Sequence, residues 1–170
     1  MPMLDAYVPA GALSQGVEAR LVARLTDLLL HHEGADPANE RARSIAWVWV
    51  HRPAQVYVAG APADRPRYKL VPQVPEGQYD DQRRAAMVFD VTEAVLDAEQ
   101  EMGRSRDPFT VWVFPTEVPD GTWGGGGTIF RLADIAGAVL GSREKGQTYA
   151  DRVFAERHVE AHTLPEPVVT

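Results

Sequence analysis

Apolar positions along the chain fall into two successive sets with the same spacing. Met3 to Val8 is short and apolar on average, and a Pro-Ala-Gly breaker follows it, which predicts a strand. Ser14 then stands where an N-cap would, because its hydroxyl can accept from a free backbone N–H of the first helical turn. Beyond it Val17, Leu21, Val22, Leu25, Leu28 and Leu29 recur at helical spacing, and Gly34 and Pro37 end the helix. Ile45 to Val50 is rich in branched and aromatic residues and reads as a buried strand. The order then repeats. Tyr68 to Val74 predicts a strand and Asp80 an N-cap. Met87, Val88, Val91, Ala94, Val95 and Ala98 form an apolar helical stripe, and Phe109 to Phe114 a second buried strand.

The register supports a duplication. Asp80 lies 66 positions after Ser14, and the same offset relates Leu21 to Met87, Val22 to Val88, Leu25 to Val91 and Leu29 to Val95. Parallel strands need a crossover helix, so each copy is a β-α-β unit. The expected fold class is α+β: two tandem β-α-β units forming a four-stranded sheet with two helices on one face. Repeat one spans 2–60 and repeat two 67–130, with Ala59 to Pro66 as linker. A terminal hairpin and helix run to 141, closing a domain over 1–141. A polar extension over 142–170 follows, with a charged, helix-compatible segment from Arg143 to His162 and then Leu-Pro-Glu-Pro-Val-Val-Thr. It belongs to neither repeat, and composition leaves open whether it packs on a neighbouring subunit or is mobile.

Composition narrows the partners. A formal charge of −7 with scattered basic residues argues against nucleic acid and anionic membrane surfaces. The apolar stretch from Leu21 to Leu30 carries Arg24 and Asp27 and is too short to span a bilayer. The start of the chain has no signal-peptide pattern, and a cytoplasmic location is the expectation. The absence of cysteine excludes disulfides, thiolate metal sites and a cysteine nucleophile. His158 and His162 are i,i+4 neighbours, but no Glu follows the first, so they read as a surface pair. Neither metal nor cofactor is expected.

Several segments, in order, carry a family resemblance. Pro2 follows the initiator Met and opens the first strand. Pro37-Ala38-Asn39-Glu40-Arg41 is similar to a Pro-Ala-Asn-Asp-Arg stretch, and His51-Arg52-Pro53 follows as it does there. Val56-Tyr57-Val58-Ala59-Gly60 resembles an aromatic-then-glycine turn, and Glu76-Gly77-Gln78-Tyr79-Asp80-Asp81-Gln82 a Glu-Gly-Arg-Ser-Asp-Glu-Gln stretch. Trp123 with Gly124 to Gly127 resembles a terminal hairpin. Together they resemble, over roughly residues 2–140, the fused two-repeat branch of the tautomerase superfamily. That branch holds malonate semialdehyde decarboxylase and the 3-chloroacrylic acid dehalogenases; 4-oxalocrotonate tautomerase is the single-unit form.

The resemblance implies a homotrimer acting on a small 2-oxo or enol acid, with Pro2 as base once Met1 is removed. A secondary amine is available only at the chain terminus, and an apolar pocket would lower its pKa towards the working range. The resemblance gives Glu40 proton transfer or water orientation; the bland alternative is a solvated loop carboxylate. Gln78 would hold the substrate, with Tyr57, Phe114 and Trp123 lining the pocket. With Trp47, Trp49 and Trp112 these aromatics otherwise read as core or subunit interface. Gly124 to Gly127 reads as a tight hairpin rather than an anion nest.

The chain also departs from the pattern. Pro75 to Gln78 lacks the two arginines that hold a substrate carboxylate in the fused members, so charge-assisted bidentate binding is lost. Ala12 and Ala46 stand where the short tautomerases have arginines, and Leu29, Phe114 and Gly125 where the cis-dehalogenase has its His, Tyr and Glu. Dehalogenase activity is not expected. Arg52, Arg83, Arg84 and Arg131 are the remaining cations that could hold an anion. Two readings stay beside the tautomerase: a hydratase or decarboxylase using Glu40, and a non-enzymatic ferredoxin-like module that binds a metabolite.

Overall fold

The computed structural model describes the backbone of residues 2–163 and the side chains of residues 2–157. The side chains of His158 and His162, and the final Leu-Pro-Glu-Pro-Val-Val-Thr, lie outside the described residues.

Repeat one forms β1 (Met3–Tyr7), α1 (Gln15–His32), a short α2 (Glu40–Ser44) and β2 (Trp47–His51). A hairpin of β3 (Tyr57–Val58) and β4 (Ala61–Pro62) follows, turning through Ala59 and Gly60, which both have positive φ. The expected linker is therefore itself a small ribbon. Repeat two forms β5 (Tyr68–Pro75), α3 (Asp81–Glu101), a 3-10 turn over Pro108–Thr110 and β6 (Val111–Val113). Both predicted caps are present: the Ser14 hydroxyl accepts from the Val17 N–H and the Asp80 carboxylate from the Arg83 N–H. α1 and α3 thus begin 66 positions apart, as the register requires.

The main sheet runs β2-β1-β5-β6, with β7 (Thr116–Val118) also pairing with β5. β2 is parallel to β1 and β6 to β5, while β1 and β5 are antiparallel, opposing Met3 to Gln73 and Tyr7 to Lys69. The four-stranded β-α-β pair is as expected, with β7 added at its margin. The second copy is one residue shorter after its helix. Met3 pairs with Trp47, but Lys69, 66 positions later, pairs with Trp112 rather than Val113.

The helices cover one face. Leu4, Ala6, Val8, Leu70 and Val74 on the strands pack with Val17, Leu21, Leu25 and Leu29 on α1 and Met87, Val91, Ala94, Val95 and Ala98 on α3. Val88, expected in that stripe, is 36% exposed, whereas Leu30 and Leu96, again 66 apart, are buried. The other face carries Trp47, Trp49, Trp112 and Phe114, all exposed, so β2 is not buried on both sides as its composition suggested. Its outward Trp and inward Val alternate instead. Phe109, read as strand, lies in the 3-10 turn and is 85% exposed.

By contacts the chain divides into two compact units. The first runs to Val74 and includes Tyr79–Glu117; the second comprises Pro75–Gln78 and the chain from Val118. The second unit holds the hairpin of β8 (Trp123–Gly125) and β9 (Thr128–Phe130), then α4 (Leu132–Leu140) and α5 (Arg143–Thr163). Leu132, Ala150 and Val153 form its own small core. α5 crosses α4 so closely at Gly146 that a Cβ there would lie 2.3 Å from the Ala133 carbonyl oxygen. The described part of the polar extension is thus a helix that packs on α4 of its own chain. Among the described residues no helix is long and apolar enough to cross a membrane.

Candidate active site

Pro2 is buried, one residue ahead of β1, and its carbonyl accepts from the Trp47 N–H at 3.3 Å. It shares the parity of Leu4, Ala6 and Val8 and so belongs to the helix-facing side. The antiparallel register puts this end of β1 beside the end of β5, at Gln73 and Val74.

Groups from several elements of the first unit gather at this end. α1 returns here because β2 runs parallel to β1, and Glu33, its C-cap residue, is only 8% exposed. Burial raises the Glu33 carboxyl above its ordinary value, and the positive charge at the start of the chain partly offsets this. Tyr79, just ahead of α3, is buried with no hydrogen-bond partner on its hydroxyl. Burial, then the nearby Glu33 and Glu117 carboxylates, push that hydroxyl well above the usual tyrosine value. Glu117 accepts from the Tyr79 N–H at 3.1 Å and from Arg84 at 3.0 Å. Glu40 is the first residue of α2 and is exposed; Asn39 caps that helix through the Arg41 and Ala42 N–H groups.

The aromatic candidates Tyr57 and Phe114 stand elsewhere. They line one open cavity of about 730 Å³ with Tyr7, Lys69, Phe109 and Trp112, at the far end of β1. Tyr7 lies four positions beyond Met3, roughly 13 Å of strand at ~3.3 Å per residue. Lys69 Nζ lies 5.2 Å from the Tyr7 ring and 5.7 Å from the Phe114 ring. In the second unit, Gln78 is 2% exposed and its amide oxygen accepts from the Tyr149 hydroxyl at 2.9 Å. Trp123, in β8, is 8% exposed.

The four candidate anion-holding arginines are all paired with carboxylates: Arg52 with Glu18, Arg83 with Asp80, Arg84 with Glu117 and Asp81, and Arg131 with Asp120. No group of His, Asp and Glu among the described residues is arranged to hold a metal ion. Sequence reasoning missed Glu33 and Lys69. The offset of 66 carried the signal for Glu33, because it relates Glu33 to Glu99 and Pro2 to Tyr68. Lys69 is the second residue of a strand recognised only by its apolar neighbours.

No protein-family model matches the chain, and no curated protein matches it by sequence. Solved structures do match. A native fused 4-OT has a TM-score of 0.61 at 19% identity, covering 75% of this chain and 94% of its own. A member of the cis-3-chloroacrylic acid dehalogenase (cis-CaaD) family also scores 0.61 at 19% identity, with 75% and 82% covered. A fused 4-OT described as a wild-type symmetric trimer scores 0.62 at 16% identity, with 78% and 98% covered. The chain has the fold of the fused two-repeat tautomerases.

Proposed function

We propose that this chain is an enzyme of the tautomerase superfamily that interconverts the enol and keto forms of a small 2-oxo acid. The base is the Pro2 nitrogen, free once Met1 is removed, and no cofactor takes part. One observation supports this above the others: Pro2 is buried at the start of the first strand of a fused two-repeat tautomerase fold. Burial disfavours the ammonium form, so the amine is available as a base near neutral pH. The nitrogen takes the enol O–H proton, the oxygen becomes a carbonyl, and the resulting N–H⁺ delivers the proton to the adjacent carbon. Glu40 assists proton transfer, and donors beside Pro2 in the same unit hold the developing oxyanion. With no arginine clamp in Pro75 to Gln78, dicarboxylates gain little over monocarboxylates.

The active form is a homotrimer. The fused 4-OT of similar fold is a symmetric trimer, and this chain leaves Trp47, Trp49 and Trp112 exposed on one sheet face. A second reading, a metabolite-binding module without chemistry, draws support from the aromatic cavity around Lys69 and from the four arginines already held by carboxylates.

The test is ketonisation of phenylenolpyruvate by protein whose mass shows Met1 removed, beside protein with a blocked amino terminus. The free form is expected to be active and the blocked form inactive, because the nitrogen is then an amide. Equal rates would rule out Pro2 as the base and favour the binding module.

A further inference from the structure

Each repeat buries one glutamate at the same point. Glu33 follows α1, and Glu99, 66 positions later, lies in the last turn of α3 with no exposure at all. At both points the crossover helix has returned to the start of its own repeat's first strand. In repeat two, Tyr68, the first residue of β5, faces the helices and its hydroxyl donates to Glu99. The residue 66 positions before Tyr68 is Pro2, also buried and also on the helix-facing parity.

The repeats differ in what satisfies the carboxylate. Arg104 donates to both Glu99 oxygens, at 2.8 and 2.6 Å, and leaves that site closed. The offset puts Ala38 in the corresponding position of repeat one, so no guanidinium serves Glu33 from there. Burial raises the Glu33 carboxyl and the positive charge at the start of the chain lowers it, a charge that Pro2 would carry once Met1 is removed.

We propose that Glu33 is the positioning residue of the Pro2 amine. Its carboxylate accepts a hydrogen bond from the ring nitrogen, fixes the ring, and offsets the charge that forms when the amine takes the substrate's proton. The inference rests on the Pro2 reading above. Other charged and titratable groups at this end include Tyr79 and Arg84 on the α3 side, Glu117 on β7, the exposed Glu40 at the start of α2, and His32, whose ring nitrogen is 2.8 Å from Asp90. None is changed by the substitution used here.

The test follows the amine without turnover. 3-Bromopyruvate alkylates an unprotonated nitrogen with loss of bromide, and the mass of the N-terminal peptide reports the extent against pH. Glu33→Gln should move the midpoint down by about 1–3 pH units, the effect of removing an adjacent opposite charge. It should lower kcat more than KM, and Glu33→Asp should recover part of both. Glu99→Gln should leave the midpoint in place. An unchanged midpoint in Glu33→Gln, with Pro2 still labelled in the free form only, would overturn the role of Glu33 and spare that of Pro2. Labelling away from Pro2, or full activity in the blocked protein, would instead overturn the Pro2 reading. If Glu33→Gln does not fold, NMR titration of the wild type decides. Shared inflections of the Pro2 nitrogen and the Glu33 carboxyl carbon support the pair, and independent ones refute it.

Discussion

Arg104→Met isolates what the closed end of repeat two contributes to stability. Glu99 is fully buried and depends on the two bonds from Arg104, the Tyr68 hydroxyl and the more distant Arg65 at 3.8 Å. Arg104 also donates to the Ala12 carbonyl, tying the loop after β1 to the end of α3. Removing one partner of a buried ion pair typically costs ~3–5 kcal/mol, because the remaining charge is left uncompensated. Arg104 keeps 27% of its side chain exposed and Arg65 stays nearby, so the lower figure, about 3 kcal/mol, is expected here. For a chain of this size that is a fall in Tm of roughly 6–12 °C. The assay is urea unfolding followed by tryptophan fluorescence, at one protein concentration so that assembly contributes equally. Glu99→Gln in the same chain should recover part of the loss, since a neutral amide still accepts from Tyr68. A single variant as stable as the wild type, or a double variant no better than Arg104→Met, would refute the idea that Glu99 is held as a buried charge.

Two shorter predictions follow. Trp49, 54% exposed in the single chain, should be covered in the proposed trimer, so Trp49→Asp should sediment as a monomer; a variant that assembles as the wild type does would place the interface elsewhere. Glu40→Gln should lower turnover by ~10²–10⁴-fold with the trimer and its Tm unchanged, as for a general acid–base group. A loss of less than twofold would mark Glu40 as the solvated carboxylate that its exposure allows.

The parts of the fold that were legible in the sequence are those decided by local chemistry. Ser14 and Asp80 can be recognised as caps because a short polar side chain before an apolar period has one obvious use. The core stripes of α1 and α3 follow from spacing alone. What failed was decided at longer range. Trp47 and Trp49 have strand chemistry, but nothing local distinguishes a face that meets helices from one left for another chain. The start of α2 reads as loop because five residues show no helical period, and only the Asn39 cap marks it. The single-residue deletion before β6 also breaks the offset, so that Lys69 pairs with Trp112 rather than Val113.

Glu33 shows the same division at the site itself. A carboxylate after a helix reads as solvated, since most are, and its burial depends on three separate facts. The crossover must return α1 to the start of β1, Pro2 must face the helices, and no counterpart of Arg104 may fill the space. Each is a consequence of the duplication rather than of the residues around Glu33. The two copies have kept the acid and changed what meets it. Repeat two answers its glutamate with a tyrosine and an arginine and gains stability. In repeat one the position matching Tyr68 is Pro2, whose amine, in the function proposed above, is what the glutamate meets. That is why substitution at Glu33 should be read in the titration of Pro2, and substitution at Arg104 in the unfolding curve.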